Sequence, residues 1–256
     1  MNNLYRSLAV FVVLVFYAVA AHAEIYIEDN RVILPALGAG INLGDIMQPA
    51  SENQTGHAIE LRLANAGGSG SQSIARNQNP IILNNTIFMG PQQLRNDFNL
   101  NFVQLSWRWR KFFRESSLGL EVLGGIGYTS LGLTVTSPTQ RASGSLESSG
   151  PQAGVGLIWR TSSGASILAQ VAGFSTGEFM HGSPPGVNGM ARGEILYAHA
   201  LDKNLTLRAG YAKWSLYGHG SGMSDFQLRF SGLAVVLDWD FNYKNRAKGE
   251  DVKEPD

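Results

Sequence analysis

From residue 57 onward, apolar residues alternate with polar or small ones, which is the pattern of β-strands. In the first such segment Ile59, Leu61 and Leu63 share one face, while Glu60 and Arg62 share the other. The alternation predicts eight strands, at 57-66, 97-111, 117-132, 151-161, 165-176, 188-200, 204-217 and 225-241.

The connectors between these segments alternate between long and short. The long ones are rich in Gly, Ser, Pro and Asn and comprise 67-96, 133-150, 177-187 and 218-224. The short ones lie near 112-116, 162-164 and 201-203. Long outer loops and short periplasmic turns are typical of outer-membrane barrels. We therefore predict an all-β fold, a transmembrane antiparallel up-and-down β-barrel of eight strands, with both chain ends in the periplasm. A soluble β-sandwich would show similar alternation.

The aromatic residues favour the membrane interpretation over the sandwich. Five of them fall on the apolar face at the end of a strand that runs toward the periplasm, as a periplasmic aromatic girdle requires: Trp107, Trp109, Trp159, Trp239 and Phe241.

The opposite face collects charged residues of both signs. They are Glu60, Arg62, Arg108, Arg110, Glu121, Arg160, Arg192, Glu194, Arg208, Asp238 and Asp240. Since side chains can fill a barrel of eight strands, we expect these charges to pair across a closed interior. A narrow polar channel is the alternative.

Two further segments leave the strand number open between eight and ten. They are RVILPALGAGINLGD, within residues 24-56, and PIILNNTIFM, at 80-89. Eight is preferred because Pro35 interrupts the first segment and the second lacks alternation. The barrel then spans 57-241, after an N-terminal periplasmic or plug segment at 24-56. Residues 242-256 are charged without an apolar pattern and are predicted to be a periplasmic tail.

The first residues of the chain predict export. MNNLYRSLAVFVVLVFYAVAAHAEIY contains Arg6, an apolar run and a small-x-small site that ends at Ala23, so residues 1-23 form a predicted secretory signal peptide. Its removal leaves 19 of the 20 basic residues against 20 acidic ones, a formal charge of -1. Near-neutrality argues against a nucleic-acid partner. Export and the barrel pattern together predict the bacterial outer membrane, with its lipid as partner.

The absence of cysteine excludes a disulfide framework, a thiolate metal site and a cysteine nucleophile. No motif for a phosphate, a metal or another cofactor occurs after the signal peptide, so no cofactor is predicted. Oligomeric state stays open between a monomer and a small oligomer.

The candidate site lies in the last predicted hairpin, NLTLRAGYAKWSLYGHGSGMSDFQLRF, at 204-230. Alternation places Lys213 and Ser215 on the lipid-facing side of one strand, and Gln227 and Arg229 on the same side of the next. We expect these four side chains to meet on the outer wall near the upper membrane boundary. Lysine and arginine there suit lipid phosphates.

This hairpin resembles the lipid A 3-O-deacylase family, small outer-membrane barrels whose catalytic residues lie on the exterior wall. LSWRWRKFFRESSLGLEVLGGIGYTSL, at 105-131, also resembles an early strand, turn and strand of that family. The family motif is His-x-Ser followed a dozen residues later by Glu. The resemblance puts Ser215 at the nucleophile position, Lys213 at the histidine and Gln227 at the glutamate.

The two changed positions bear directly on catalysis. A serine hydroxyl needs a base to remove its proton, and a protonated lysine cannot act as one. The resemblance therefore predicts a non-catalytic barrel that contacts lipid A in lipopolysaccharide. One alternative is an active ester hydrolase on lipid A, with Ser215 or the nearby His219 and Ser221 as its catalytic groups. A second His-Gly-Ser sequence, which begins at His181, offers further candidate groups for such an activity. Another alternative is an opacity-type adhesin that acts through its loops.

Overall fold

The computed structural model describes residues 25–42, 55–113, 116–161, 165–175, 186–202, 204–220 and 223–242. These residues are all-β, in eleven strands: β1 (Ile25–Asn42), β2 (Thr55–Ile74), β3 (Ile81–Leu83), β4 (Thr86–Phe88), β5 (Gln92–Phe112), β6 (Leu118–Thr136), β7 (Arg141–Arg160), β8 (Ala165–Ser175), β9 (Gly186–Asp202), β10 (Leu205–Gly220) and β11 (Met223–Asn242). The predicted signal peptide, 1-23, and residues 243–256 of the predicted tail lie outside the described residues.

Nine of the strands form one sheet that closes into a ring, in the order β1-β11-β10-β9-β8-β7-β6-β5-β2. Neighbours are antiparallel except for β1 and β11, which are parallel. Eight ring strands overlap the eight predicted ones, and β1 is the ninth. The predicted loops 67-96 and 133-150 are too long, because β2 continues to Ile74 and β7 begins at Arg141. The ring thus contains nine described strands, where we predicted eight with ten as the alternative. Since nine is odd, Ile25 and Asn242 lie at opposite ends of the ring rather than at the same end.

Strand β1 corrects the interpretation of residues 24-56 as a periplasmic or plug segment, because Ile25–Asn42 belongs to the ring itself. Pro35 does not interrupt this strand. It pairs with Val235 of β11, while the register with β2 begins one residue later, at Ala36. A missing N–H is tolerated where that side of a strand has no ladder partner.

The second open segment, 80-89, forms the separate hairpin β3–β4. Its turn uses Asn84 and Asn85 at φ 49° and 61°, as a two-residue turn with positive φ requires. Ile81, Leu83 and Phe88 are buried in the same apolar core as the ring's inward residues. The hairpin therefore packs into the end of the ring at which β2 leads to β5. We call this the loop end, and the opposite end, where β5 turns into β6, the turn end.

The inward and outward faces of the ring differ in polarity, and this difference reverses between the two ends of the ring. In the turn-end section, outward side chains are apolar and inward ones are largely polar or charged. In the loop-end section the arrangement is reversed. On β11 the loop-end section has Gln227 and Arg229 outside and Phe226, Leu228 and Phe230 inside, and the turn-end section has Leu233, Leu237, Trp239 and Phe241 outside and Asp238 inside.

Strands β2 and β5 reverse in the same way. On β2 the outward series changes from Ile59, Leu61 and Leu63 to Asn65, Gly67, Ser69, Ser71 and Ser73. On β5 the inward series changes from Leu94, Asn96, Phe98, Leu100 and Phe102, of which only Asn96 is polar, to Gln104, Ser106 and Arg108. The reversal therefore occurs on the strands that lie on either side of β1.

Candidate functional site on the outer wall

The turn-end section is surrounded by exposed apolar side chains, which we call the apolar belt. It includes Ile33, Leu37, Ile59, Leu61, Leu105, Trp107, Ile126, Leu157, Trp159, Val171, Ile195, Tyr211, Leu233, Leu237, Trp239 and Phe241. Along β11 the belt runs from Leu233 to Phe241, about 27 Å of strand. At the usual strand tilt this spans about 21 Å of height, close to the apolar band of about 25 Å in outer-membrane barrels.

The predicted aromatic girdle lies on the outward face as expected. Trp107, Trp159, Trp239 and Phe241 are about half exposed, and Trp109 is half-buried. Trp107 stacks on His57 with ring centroids 5.5 Å apart, and the Trp159 indole N–H donates to Ser117 Oγ at 2.9 Å. These aromatic side chains thus combine an apolar surface with polar partners near the turn end.

Inside the belt, the predicted charged residues pair across the ring. Arg108 donates from its two terminal nitrogens to Glu60 and to Glu121, at 2.9 Å each. Arg110 also pairs with Glu121, and Arg208 pairs with Asp238 and, at 3.3 Å, with Glu60. These contacts connect β2, β5, β6, β10 and β11 through one continuous ionic network.

A second group of charges lies next to this network. Arg62 donates twice to Glu194, at 2.9 and 3.2 Å, and Arg192 lies 3.8 Å from the same carboxylate. The side chains of all three residues are at most 3% exposed. At the turn end, Glu60, Arg108, Arg208 and Asp238 help line a cavity of about 20 Å³, which is room for one or two water molecules. Ion-paired side chains therefore occupy much of the described turn-end interior, beside an apolar cluster of Phe112, Ile158 and Leu168. This arrangement favours the predicted closed interior over the narrow polar channel.

Outside, the predicted site residues lie just beyond the apolar belt toward the loop end. Ser215 pairs with Arg229 across β10 and β11, and Lys213 pairs with Ser231. Gln227 pairs with Tyr217, so it lies on the diagonal from Ser215 on the same face. Lys213 is exposed, while Ser215 and Gln227 are half-buried. The structure thus brings the three residues to one outer patch, as the alternation predicted.

Arg229 is held from the other side by β1. Its guanidinium carbon lies 6.0 Å from the centre of the Tyr26 ring, and Glu28 is its register partner on β1. The Tyr26 hydroxyl donates to Glu28. Lys213 faces a different environment, because Gly193 is its partner on β9 and a Cβ there would meet no atom within 4 Å. The outer patch therefore offers an exposed ammonium group beside open space and a guanidinium beside a carboxylate.

Trp214 lies between two site residues but points into the ring, where it is 2% exposed. It stacks on Phe230 at 5.7 Å and meets Phe102 edge to face at 5.4 Å. The Arg192 guanidinium lies 5.4 Å from the Trp214 ring. The alternation of the sequence is sufficient to predict that Trp214 points inward. The contact between Trp214 and Arg192 depends on how the ring closes, and nothing in the sequence predicts it.

The described neighbours of Ser215 do not provide a general base. Its cross-strand partners are Ala191 and Arg229, and its outward neighbours along β10 are Lys213 and Tyr217. A hydroxyl in these surroundings can donate or accept a hydrogen bond but has no imidazole or carboxylate beside it in the described part of the outer wall. The alternative catalytic groups cannot be placed, because Ser221, His181 and the His219 side chain lie outside the described residues.

The described residues contain neither a candidate metal site nor a candidate transmembrane helix. No group of three or more His, Cys, Asp or Glu residues could hold a metal ion. No helix there is long and apolar enough to cross a membrane.

No protein-family model, curated protein or solved structure matches the chain. The resemblance to the lipid A 3-O-deacylase family stays a prediction from the hairpin and from residues 105-131.

Proposed function

We propose that the chain is an integral β-barrel of the bacterial outer membrane. Its turn-end section would lie in the lipid and its loop-end section in water outside the cell. The observation that carries this proposal is the apolar belt, which surrounds a section whose interior holds ion pairs. In water such a section would expose its apolar face and bury its charges, which is unfavourable on both counts. In a membrane both faces have a suitable environment.

We further propose that the outer patch of Lys213, Ser215, Gln227 and Arg229 packs against lipopolysaccharide. The patch adjoins the edge of the apolar belt, where the phosphates of an outer-leaflet lipid would lie. Lys213 and Arg229 would bind those phosphates, and Ser215 and Gln227 would form neutral hydrogen bonds. The absence of a base among the described neighbours of Ser215 supports lipid contact without ester hydrolysis.

The membrane proposal is tested by fractionation of cells that express the chain. We expect it in the outer-membrane fraction, resistant to extraction with alkaline carbonate. Recovery as a freely soluble monomer from unbroken spheroplasts would contradict the proposal.

The role of the patch is tested by quantifying the lipopolysaccharide that copurifies with the chain in mild detergent. Lys213→Ala combined with Arg229→Ala should reduce this amount, while the matched pair Arg95→Ala and Arg141→Ala, on the outer wall nearer the loop end, should not. In cells that express the protein without substitutions, mass spectrometry of lipid A should show no loss of an acyl group. Loss of a hydroxyacyl group that Ser215→Ala abolishes would replace lipid contact with hydrolysis.

A further inference from the structure

Strand β1 occupies an unusual place in the ring. It lies between β2 and β11 and is the parallel neighbour of β11, while the other described neighbours in the ring are antiparallel. Strands β2 and β11 themselves run in opposite directions. If β1 were withdrawn, β2 and β11 could therefore pair in the antiparallel sense and close a ring of eight strands.

The attachment of β1 to β2 is short. Its register with β2 covers seven pairs, from Ala36↔Ala64 to Asn42↔Ala58, whereas it covers 16 pairs with β11 and the β2–β5 register covers 20. Toward the loop end, side chains link the two strands instead. Gln72 accepts from the Tyr26 N–H at 3.1 Å, and Asp29 accepts from the Ser69 N–H at 3.3 Å. Part of this seam is thus closed without a regular backbone ladder.

Among the described side chains of β1, none joins the ionic network. Its inward positions at that level are Gly38 and Gly40, and a Cβ on Gly38 would lie 2.0 Å from Asp238 Oδ1. The ion pair between Arg208 of β10 and Glu60 of β2 already spans the ring past β11 and β1. Strands on either side of β1 therefore complete the network across its inner face.

The register also allows direct pairing of the strands that flank β1. Leu37 pairs with both Leu63 and Leu237, so withdrawal of β1 in the same register would bring these two leucines together on the outside. On the inside, Arg62 would face Asp238, because both now pair with Gly38. Two residues further along, Glu60 would face Asp240, because both now pair with Gly40. Apolar groups would therefore stay outside, while one pair of opposite charges and one pair of carboxylates would meet inside.

We propose that β1 is an exchangeable closing strand, so that the ring also closes with eight strands through direct β2–β11 pairing. The nine-stranded ring is the major form because β1 buries Ile25, Ile27, Val32 and Leu34 in the apolar core. The eight-stranded ring is a minor form that becomes populated when β1 is released. This proposal rests on the ring geometry and holds whether or not the chain enters a membrane.

Disulfide trapping tests the exchange, since the chain has no native cysteine. The probe is Leu63→Cys with Leu237→Cys, two positions that β1 separates by two strand spacings, about 9.6 Å. A disulfide needs Cα atoms within about 7 Å, so it forms only when β2 and β11 become neighbours. The matched control is Leu61→Cys with Ile126→Cys, which β5 separates through Leu105 in the same way.

With a mild oxidant and the folded chain in detergent, we expect the probe pair to cross-link slowly and the control pair to stay reduced. Gly38→Val should accelerate the probe cross-link severalfold, because its side chain collides with Asp238 only while β1 is in the ring. Ala39→Val, whose side chain points outward, should leave the rate unchanged. Equal cross-linking of both pairs, or none in the probe pair even with Gly38→Val, would overturn the proposal.

Discussion

The turn-end and loop-end sections of the ring use the same strands with opposite distributions of polarity. The loop-end section resembles a water-soluble protein, with Leu94, Leu228 and Phe230 inside and serine, threonine and asparagine outside. The turn-end section has leucine, isoleucine and tryptophan outside and ion pairs inside. The same strands continue through both sections, so secondary structure does not explain their opposite distributions of polarity. A difference in the surrounding solvent would explain it. Under the proposed function, a single strand passes from water into lipid.

The largest effect should follow from removing a central charge of the turn-end interior. Arg108→Ala removes one ion-pair partner from each of two buried carboxylates, so that Glu60 keeps only Arg208 and Glu121 keeps only Arg110. Loss of one partner of a buried ion pair typically costs about 3–5 kcal/mol. The matched variant is Arg95→Ala, which breaks an exposed pair with Asp97 and should cost at most about 1 kcal/mol. Reversible unfolding in detergent by urea measures both. Equal, small effects would show that the interior charges are solvated.

An apolar truncation inside the loop-end section should come next. Leu228→Ala removes a side chain that is 1% exposed, and large-to-small changes in a packed core cost about 2–5 kcal/mol. The corresponding change on the outer face of the same strand, Leu233→Ala, should cost clearly less, because detergent or lipid fills the space left there. The same urea titration compares them, and a larger effect at Leu233 would contradict the assignment of the core.

A charged side chain introduced on the apolar belt should reduce the stability of the protein in a lipid bilayer. Leu237→Arg is expected to reduce stability in bilayers by about 2–4 kcal/mol if this position lies near the membrane centre. The control, Ser145→Arg, places the same side chain on the outer wall of the loop-end section and should change stability little. Refolding into lipid vesicles measures the two variants. A tolerated arginine at 237 would place the belt outside the lipid.

The smallest expected effect concerns the boundary between the two sections. Loss of one basic residue near an anionic lipid surface costs about 1 kcal/mol, or about fivefold in affinity. Lys213→Ala should therefore weaken binding of lipopolysaccharide about fivefold, while Lys213→Arg keeps most of it. Titration of lipopolysaccharide into the detergent-solubilised chain, at fixed ionic strength, checks both variants. Unchanged binding in Lys213→Ala would remove this residue from the proposed contact.

The sequence predicts the turn-end section better than the loop-end section. Alternation places Leu61, Arg62 and Trp107 on the correct faces, because a period of two is sufficient to divide apolar from polar residues. It does not predict that β2 and β7 extend toward the loop end, where the outward residues are mostly serine and glycine and therefore resemble a loop. The parallel closure by β1 and the packing of β3–β4 depend on long-range pairing, for which a local pattern carries no signal.

The same limit applies to the candidate site. Alternation was sufficient to bring Lys213, Ser215 and Gln227 to one outer patch. The approach of Tyr26 and Glu28 to Arg229 is not predictable from alternation, because it depends on the long-range pairing of β1 with β11. The hairpin sequence alone therefore predicts that the outer patch exists. The residues that surround Arg229 in the patch depend on how the ring closes.

The most direct test of the central claim is a scan of environment along the outer face of β11. Single cysteines at Gln227, Arg229, Leu233, Leu237 and Phe241 can carry a fluorescent label in lipid vesicles, without interference from native cysteine. If the strand passes from water into lipid, brominated lipids should quench the label strongly at 233 and 237 and weakly at 227, with the change between 229 and 233. Uniformly weak quenching along the strand, with full access to a water-soluble quencher, would contradict membrane insertion of the turn-end section.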